Sequence, residues 1–271
     1  MAAERRRAAR AGALASRYEA RGALPPESLW PVWVRLRDLH RQMEERHLAA
    51  ARITELHAAR LEMWLDHPGG VLRPAFIAVV ASSLGTPSAT AALSGPRYAP
   101  TVVAASDATA RAAYDLETTM AEGPAGDAAT TGTSIAIAGT TLMDRWPLYG
   151  SAVARLGVRA VTAAPLGPPG ENLGALCAYR AEPVIGRGEA TATERMAEVL
   201  TEMILTGGAA PRVFDGADYQ DVVHQAVGMI SVQCDCGTDV ARDLLVARAF
   251  TVGESVEQIA AQVVHGHLDL S

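Results

Sequence analysis

The chain has 271 residues, 49% apolar and 20% charged, with a formal net charge of −6; that size and balance fit about two globular domains. Every basic residue is Arg, and without Lys there is no Walker A phosphate loop, kinase-type Lys or Schiff-base chemistry. Three Cys make no disulfide framework, Arg5-Arg6-Arg7 leads into no apolar segment, and no apolar run approaches a membrane span, so a cytoplasmic protein is expected.

Residues 1–22 are rich in Ala and Arg with little to bury, and are expected to be frayed or disordered. Leu24-Pro25-Pro26 breaks the chain, and Ser28 is placed to cap a long helix. Leu29, Val32, Leu36, Leu39 and Met43 then follow the three-then-four spacing of a coiled-coil seam, which degrades at Arg46, Ala50, Ile53, His57 and Arg60. This helix either pairs with a second copy or packs on its own chain. His40 and His47, two turns apart on it, read as solvated helix residues.

His67-Pro68-Gly69-Gly70 marks the next boundary. The pattern beyond it predicts a helix over 74–84, a hairpin of strands over 88–93 and 98–106, a helix over 107–120, a strand over 134–138 and a helix over 147–156. A second hairpin over 158–166 and 172–180 and a helix over 188–205 follow. Strands in antiparallel pairs with helices segregated around them predict an α+β domain. Cys177 alternates with Leu176 and Ala178 on a predicted strand and reads as a small buried residue.

Several stretches of this region are shared with a known family. They are Ala104-Ala105-Ser106-Asp107, the run Glu122-Gly123-Pro124-Ala125-Gly126-Asp127, Asp144-Arg145-Trp146-Pro147, Gly157-Val158-Arg159-Ala160-Val161 and Leu173-Gly174-Ala175-Leu176. On these, residues 71–205 resemble a GAF domain, which implies a dimeric sensor or small-ligand receptor. Ala125 stands where that family often has Cys. Glu122, Asp127, Arg145 and Trp146 are the candidate ligand residues. Glu122-Gly123-Pro124 either brings a carboxylate to a pocket or forms a tight turn into a helix capped by Asp127. Arg145 and Trp146 either clamp a planar ligand or serve packing.

The last stretch predicts three short helices. The first opens at Asp218 and ends at Cys234-Asp235-Cys236-Gly237; the second starts at Thr238, with Val240, Leu244 and Leu245 on one side; Gly253 breaks the chain. Ser255-Val256-Glu257-Gln258 has the form of a capping box before Ile259, Ala260, Val263 and Val264. Gln225-Ala226-Val227-Gly228-Met229, Leu244-Leu245-Val246-Ala247-Arg248-Ala249-Phe250 and Val256 to Val264 resemble the ANTAR domain, the RNA-binding module of transcription antiterminators. The resemblance implies stem-loops of nascent transcripts as partners, and the candidate RNA-binding residues are Arg242, Arg248, His224 and Gln225. Arg248, in the family-like Ala247-Arg248-Ala249, either contacts RNA or pairs with Asp243 or Asp239. Phe250 either stacks on a base or is buried in the core.

The expected organisation is a helical region over 1–66, a GAF sensor over 67–206, a linker over 207–217 and an ANTAR bundle over 218–271. The Thr206-Gly207-Gly208 linker reads as a hinge. The expected function is a homodimeric, signal-responsive regulator, with an unknown small-molecule or protein signal at its GAF domain and RNA at its ANTAR domain. Residues 211–271 carry three Arg against nine acids, whereas nucleic-acid modules are usually basic. That imbalance, with Val227 and Val246 where the family commonly has polar or basic residues, supports the alternative of a sensor or scaffold whose bundle only dimerises or binds protein. No catalytic motif of the HExxH or GxSxG kind occurs. No enzyme activity, cofactor or metal is expected, since Cys234-Asp235-Cys236 and His265-Gly266-His267 lack further ligands.

Overall fold

The computed structural model describes residues 2–22, 27–66, 74–94, 100–206, 213–214 and 219–268. The fold is α+β, with long N-terminal helices, a five-stranded antiparallel sheet with its helices, and a C-terminal group of three helices. By its contacts the chain divides into unit 1, Met1–Pro74 with Glu198–Gly207, and unit 2, Ala75–Ala197 with Gly208–Ser271.

Unit 1 is built on α1 (Ala2–Gly22) and α2 (Trp30–Asp66), with a short 3-10 turn at Glu27–Leu29 before α2. The expectation that residues 1–22 are frayed is overturned. Ala8, Ala11 and Ala15 form a buried stripe at three-then-four spacing, and such small side chains let two helix backbones approach closely. Tyr18 stacks on Trp33 and His40, at centroid separations of 5.9 and 5.4 Å. Arg41 pairs with Glu19 at 3.1 Å and Arg5 with Glu55 at 2.6 Å; exposed pairs of this kind contribute ~1 kcal/mol or less each. Packing on its own chain thus accounts for one side of α2, including Ala50, Ile53 and His57, while Leu29, Val32 and Leu39 of the seam stay exposed.

His47 is not a solvated helix residue either. It is buried, with Nδ1 2.8 Å from Glu4 Oε2 and Nε2 3.3 Å from Glu202 Oε1. His40 is half-buried against Tyr18.

Unit 2 opens with α3 (Phe76–Ser83), followed by strands β1 (Ser88–Ser94) and β2 (Pro100–Ala105). The turn residues predicted between these strands, and the His67–Gly70 boundary, lie outside the described residues. After α4 (Ala108–Met120) and α5 (Pro124–Thr131) come β3 (Ile135–Ala138), α6 (Thr141–Arg145) and α7 (Pro147–Arg155). Strands β4 (Ala160–Leu166) and β5 (Gly174–Arg180) complete a sheet of order β2-β1-β5-β4-β3, antiparallel throughout. Helix α8 (Glu189–Leu205) belongs to unit 2 up to Ala197, where Thr193 hydrogen-bonds Thr162 of β4 at 2.8 Å.

The alternation of strand residues assigns the sheet's two faces. Ala175, Cys177 and Tyr179 of β5 join the main core with Val103 and Val161, and Cys177 is fully buried as its strand position predicts. The same core continues without a break into the C-terminal helices α9 (Tyr219–Gln233), α10 (Thr238–Val252) and α11 (Val256–Val264), through Ile230, Leu245, Ile259 and Val263. Helix α9 packs against β2, and α10 and α11 against α4.

The capping box forms as predicted. Gln258 N–H donates to Ser255 Oγ at 3.2 Å, and Ser255 N–H donates to Gln258 Oε1 at 2.9 Å. Asp218 and the hinge from Gly207 to Arg212 lie outside the described residues. One face is corrected. The buried stripe of α10 is Ala241, Leu245 and Ala249, four apart, so Val240, Leu244 and Phe250 are exposed.

Candidate functional site: a cavity walled by a C-terminal helix

Asp107 starts α4 by accepting the Ala110 N–H at 2.7 Å, and the helix buries Ala110, Ala113 and Tyr114. Glu117 follows on the same stripe, three residues after Tyr114, so its carboxyl is carried into the interior with 7% of its surface exposed. The helix ends at Ala121, which is left-handed at φ 54°, a conformation with a cost for a non-glycine residue that collects at functional sites. The chain then turns through Gly123. At φ 159° a Cβ there would stand 2.5 Å from the Glu117 carboxyl carbon, so glycine is what lets the carboxyl fit.

The turn brings the backbone back to Glu117. Gly126 N–H, in the first turn of α5, donates to Oε1 at 2.6 Å, while Oε2 is buried with no hydrogen-bond partner. Burial dominates the electrostatics, lifting the carboxyl to about 7 against the opposing Gly126 and Ala125 amides, and the Asp127 charge adds to the rise. Around it, burial also pushes the Tyr149, Cys177 and Tyr179 groups up. Tyr179 Oη lies 3.0 Å from Thr90 Oγ1.

Glu117 borders a cavity of about 590 Å³. Its walls come from β1 and β5 at Ala92 and Ala175, from α4 and the turn into α5, and from α10 at Asp239, Arg242, Asp243 and Val246.

The candidate residues divide sharply. Glu122 and Asp127 line the cavity, yet each has a carboxylate oxygen engaged elsewhere. Glu122 Oε1 accepts the Leu148 and Tyr149 N–H groups at 2.6 and 2.8 Å, at the N-terminus of α7. Asp127 does not cap α5, which begins earlier with Gly123 before Pro124; its Oδ2 instead accepts from Arg145 at 2.9 and 3.1 Å and from Trp146 Nε1 at 3.2 Å. Arg145 lies over the Trp146 ring at 5.4 Å, and buried Trp146 meets Tyr149 edge-on at 5.9 Å. Arg145 and Trp146 therefore position Asp127, and neither borders the cavity.

Among the residues proposed for RNA, Arg242 is half-buried in the cavity wall, while Arg248, His224 and Gln225 are exposed. Arg242 and Arg248 are six residues apart, about 120° around a helix, which separates them onto different surfaces. The sequence reading missed Glu117. Its available signal was an acid standing on the apolar stripe of a predicted helix.

No family model and no curated protein matches the chain. Among solved structures, it is similar to the domain of a two-component sensor histidine kinase protein from Sinorhizobium meliloti 1021, at 17% identity and a TM-score of 0.37, covering 57% of this chain and 91% of that one. It is also similar to Escherichia coli SdiA, at 14% identity and a TM-score of 0.37, covering 70% and 88%. Likeness at this level assigns neither a family nor an activity to the chain.

Proposed function

We propose that the protein is a signal-responsive regulator in which unit 2 holds both the receiving cavity and an RNA-binding helical surface of ANTAR type. The observation that carries the reading is that α10 serves two surfaces. It walls the cavity with Arg242 and Val246 and exposes Arg248 and Phe250. Single-stranded loops are read by stacking bases on aromatic rings and guanidinium planes. Helix α10 exposes one of each, Phe250 and Arg248, on different sides of the helix, since two residues turn it by about 200°. His224 and Gln225 of α9 add exposed polar groups. The exposed Leu29, just before α2, and Val32 and Leu39 on it support assembly of the regulator as a homodimer.

The test is binding of the full chain to tandem RNA stem-loops across a salt series. Binding should weaken with salt, because releasing the counterions condensed on the RNA is less favourable at high salt, and Phe250→Ala should weaken it by about tenfold, the scale of one stacked base. Arg248→Ala should also lower the salt slope. No binding at low salt by folded protein overturns the reading. The exposed Val240 and Leu244 favour one other function for the same helix, docking of a partner protein, and that function would then take its place.

A further inference from the structure

We propose that the cavity of unit 2 is a receptor site for a small organic cation, an amine or amidine, held by Glu117 together with the acids of α10; this rests on the reading of unit 2 as the signal-receiving part. Four observations carry it. The cavity, at about 590 Å³, is of the size that encloses small molecules. Glu117 Oε2 is a buried acceptor with no partner, an arrangement that native structures avoid unless something else completes it, and a ligand N–H would complete it.

The sign of the charge points the same way. Glu117, Glu122, Asp239 and Asp243 border the cavity against the guanidinium of Arg242 among the described residues, with Asp127, also in the wall, paired to Arg145. An anion would meet an excess of negative charge there, and an uncharged ligand would gain less from it than a cation. Tyr114 adds an aromatic wall, a surface that suits cations as well.

The fourth observation is where the acids come from. Glu117 belongs to α4, whereas Asp239 and Asp243 belong to α10. A cation bound among them attracts both helices, so occupancy favours α10 in its docked place. Burial holds the Glu117 carboxyl up near 7, and an adjacent cation would draw it back down and leave it ionised.

The experiment titrates the full chain with 4-aminobenzamidine, followed by its own fluorescence, beside the uncharged 4-aminobenzamide, with no RNA present. The amidine should bind wild type at least about tenfold more tightly than the amide, the scale of a charge-assisted hydrogen bond inside a protein. Glu117→Gln, which keeps the acceptor for the Gly126 N–H, should abolish that preference, and Asp243→Asn should reduce it. Amide exchange in α10 should slow when the amidine is bound. Equal affinities, or no amidine binding up to millimolar concentration, overturn the proposal, as does a preference that survives in folded Glu117→Gln. Should Glu117→Gln fail to fold, the wild-type comparison and Asp243→Asn decide. The RNA titration contains no amidine, so the cavity and the RNA surface can fail independently.

Discussion

The two helical regions of the chain hold themselves together by opposite means. In unit 1, α1 meets α2 through alanines, ring stacking and ion pairs, while Leu29, Trp30, Val32 and Leu39 are left in water. The C-terminal helices instead bury Ile230, Leu245, Ile259 and Val263 in a core continuous with the sheet. Apolar burial is the larger stabilising contribution, roughly 25 cal/mol per Å², so the C-terminal group is fastened to the sheet whereas the N-terminal pair keeps its largest apolar groups for something else. Charge does not predict which is which: the acidic region has the apolar core and the Arg-rich one has the exposed seam.

The hardest blow to that contrast is Leu245→Ala. Truncating a fully buried Leu should cost about 4 kcal/mol, read by denaturant unfolding of the full chain; a loss as small as that of an exposed substitution would mean that the C-terminal core is not what fastens these helices. Next comes Glu117. Its folded value of about 7 lies above the ordinary 4.5, so the folded state holds the proton more tightly. The stability this gives is complete below pH 4.5, is lost as pH rises to about 7, and amounts to at most about 3 kcal/mol. Glu117→Gln should flatten the stability profile across that window and leave the variant the more stable at pH 8. Asp127, Tyr149, Cys177 and Tyr179 surround the carboxyl, and the last three have values raised away from the window, so the difference between wild type and Glu117→Gln, rather than the slope of either, reads the Glu117 proton. A profile identical to wild type would contradict this placement of the proton.

The seam is the matching test on unit 1. Val32→Glu with Leu39→Glu should weaken self-association by about a hundredfold, seen as a halved mass by light scattering, without shifting the melting temperature of the single chain. The mildest change is Ser255→Ala. Removing the capping-box hydroxyl should cost about 1 kcal/mol and loosen the first turn of α11 in amide exchange.

What the sequence disclosed depends on how local the cause is. The capping box was legible because Ser255 and Gln258 satisfy each other within one turn. The strand pairs were legible because alternation and turn residues are short-range signals, and the sheet forms with its two expected hairpin pairings, β1 with β2 and β4 with β5. Helix α1 was misread because its burial is of alanines, whose low hydrophobicity gives little periodic signal. Phe250 and Leu244 are exposed for a related reason. The face of α10 that packs inward is the one with two alanines and a single Leu, and hydrophobicity alone points to the wrong side.

The candidate site was half legible. Glu122 and Asp127 were found through the Glu-Gly-Pro turn, but their hydrogen bonds run to α7, Arg145 and Trp146, contacts that no spacing reveals. Glu117 stands at a stripe position that sequence can mark. Whether an acid there is paired or unsatisfied depends on the Gly126 amide reaching Oε1 and nothing reaching Oε2, and that is decided only by tertiary structure.

A carboxyl that sits near half-protonation at neutral pH turns ligand capture into an exchange of one cation for another. When an organic cation enters beside Glu117, a fraction of a proton leaves for the solvent. The heat of binding should therefore differ between phosphate and Tris by that fraction of their difference in ionisation enthalpy. The protein would report its occupant through the buffer as well as through its shape.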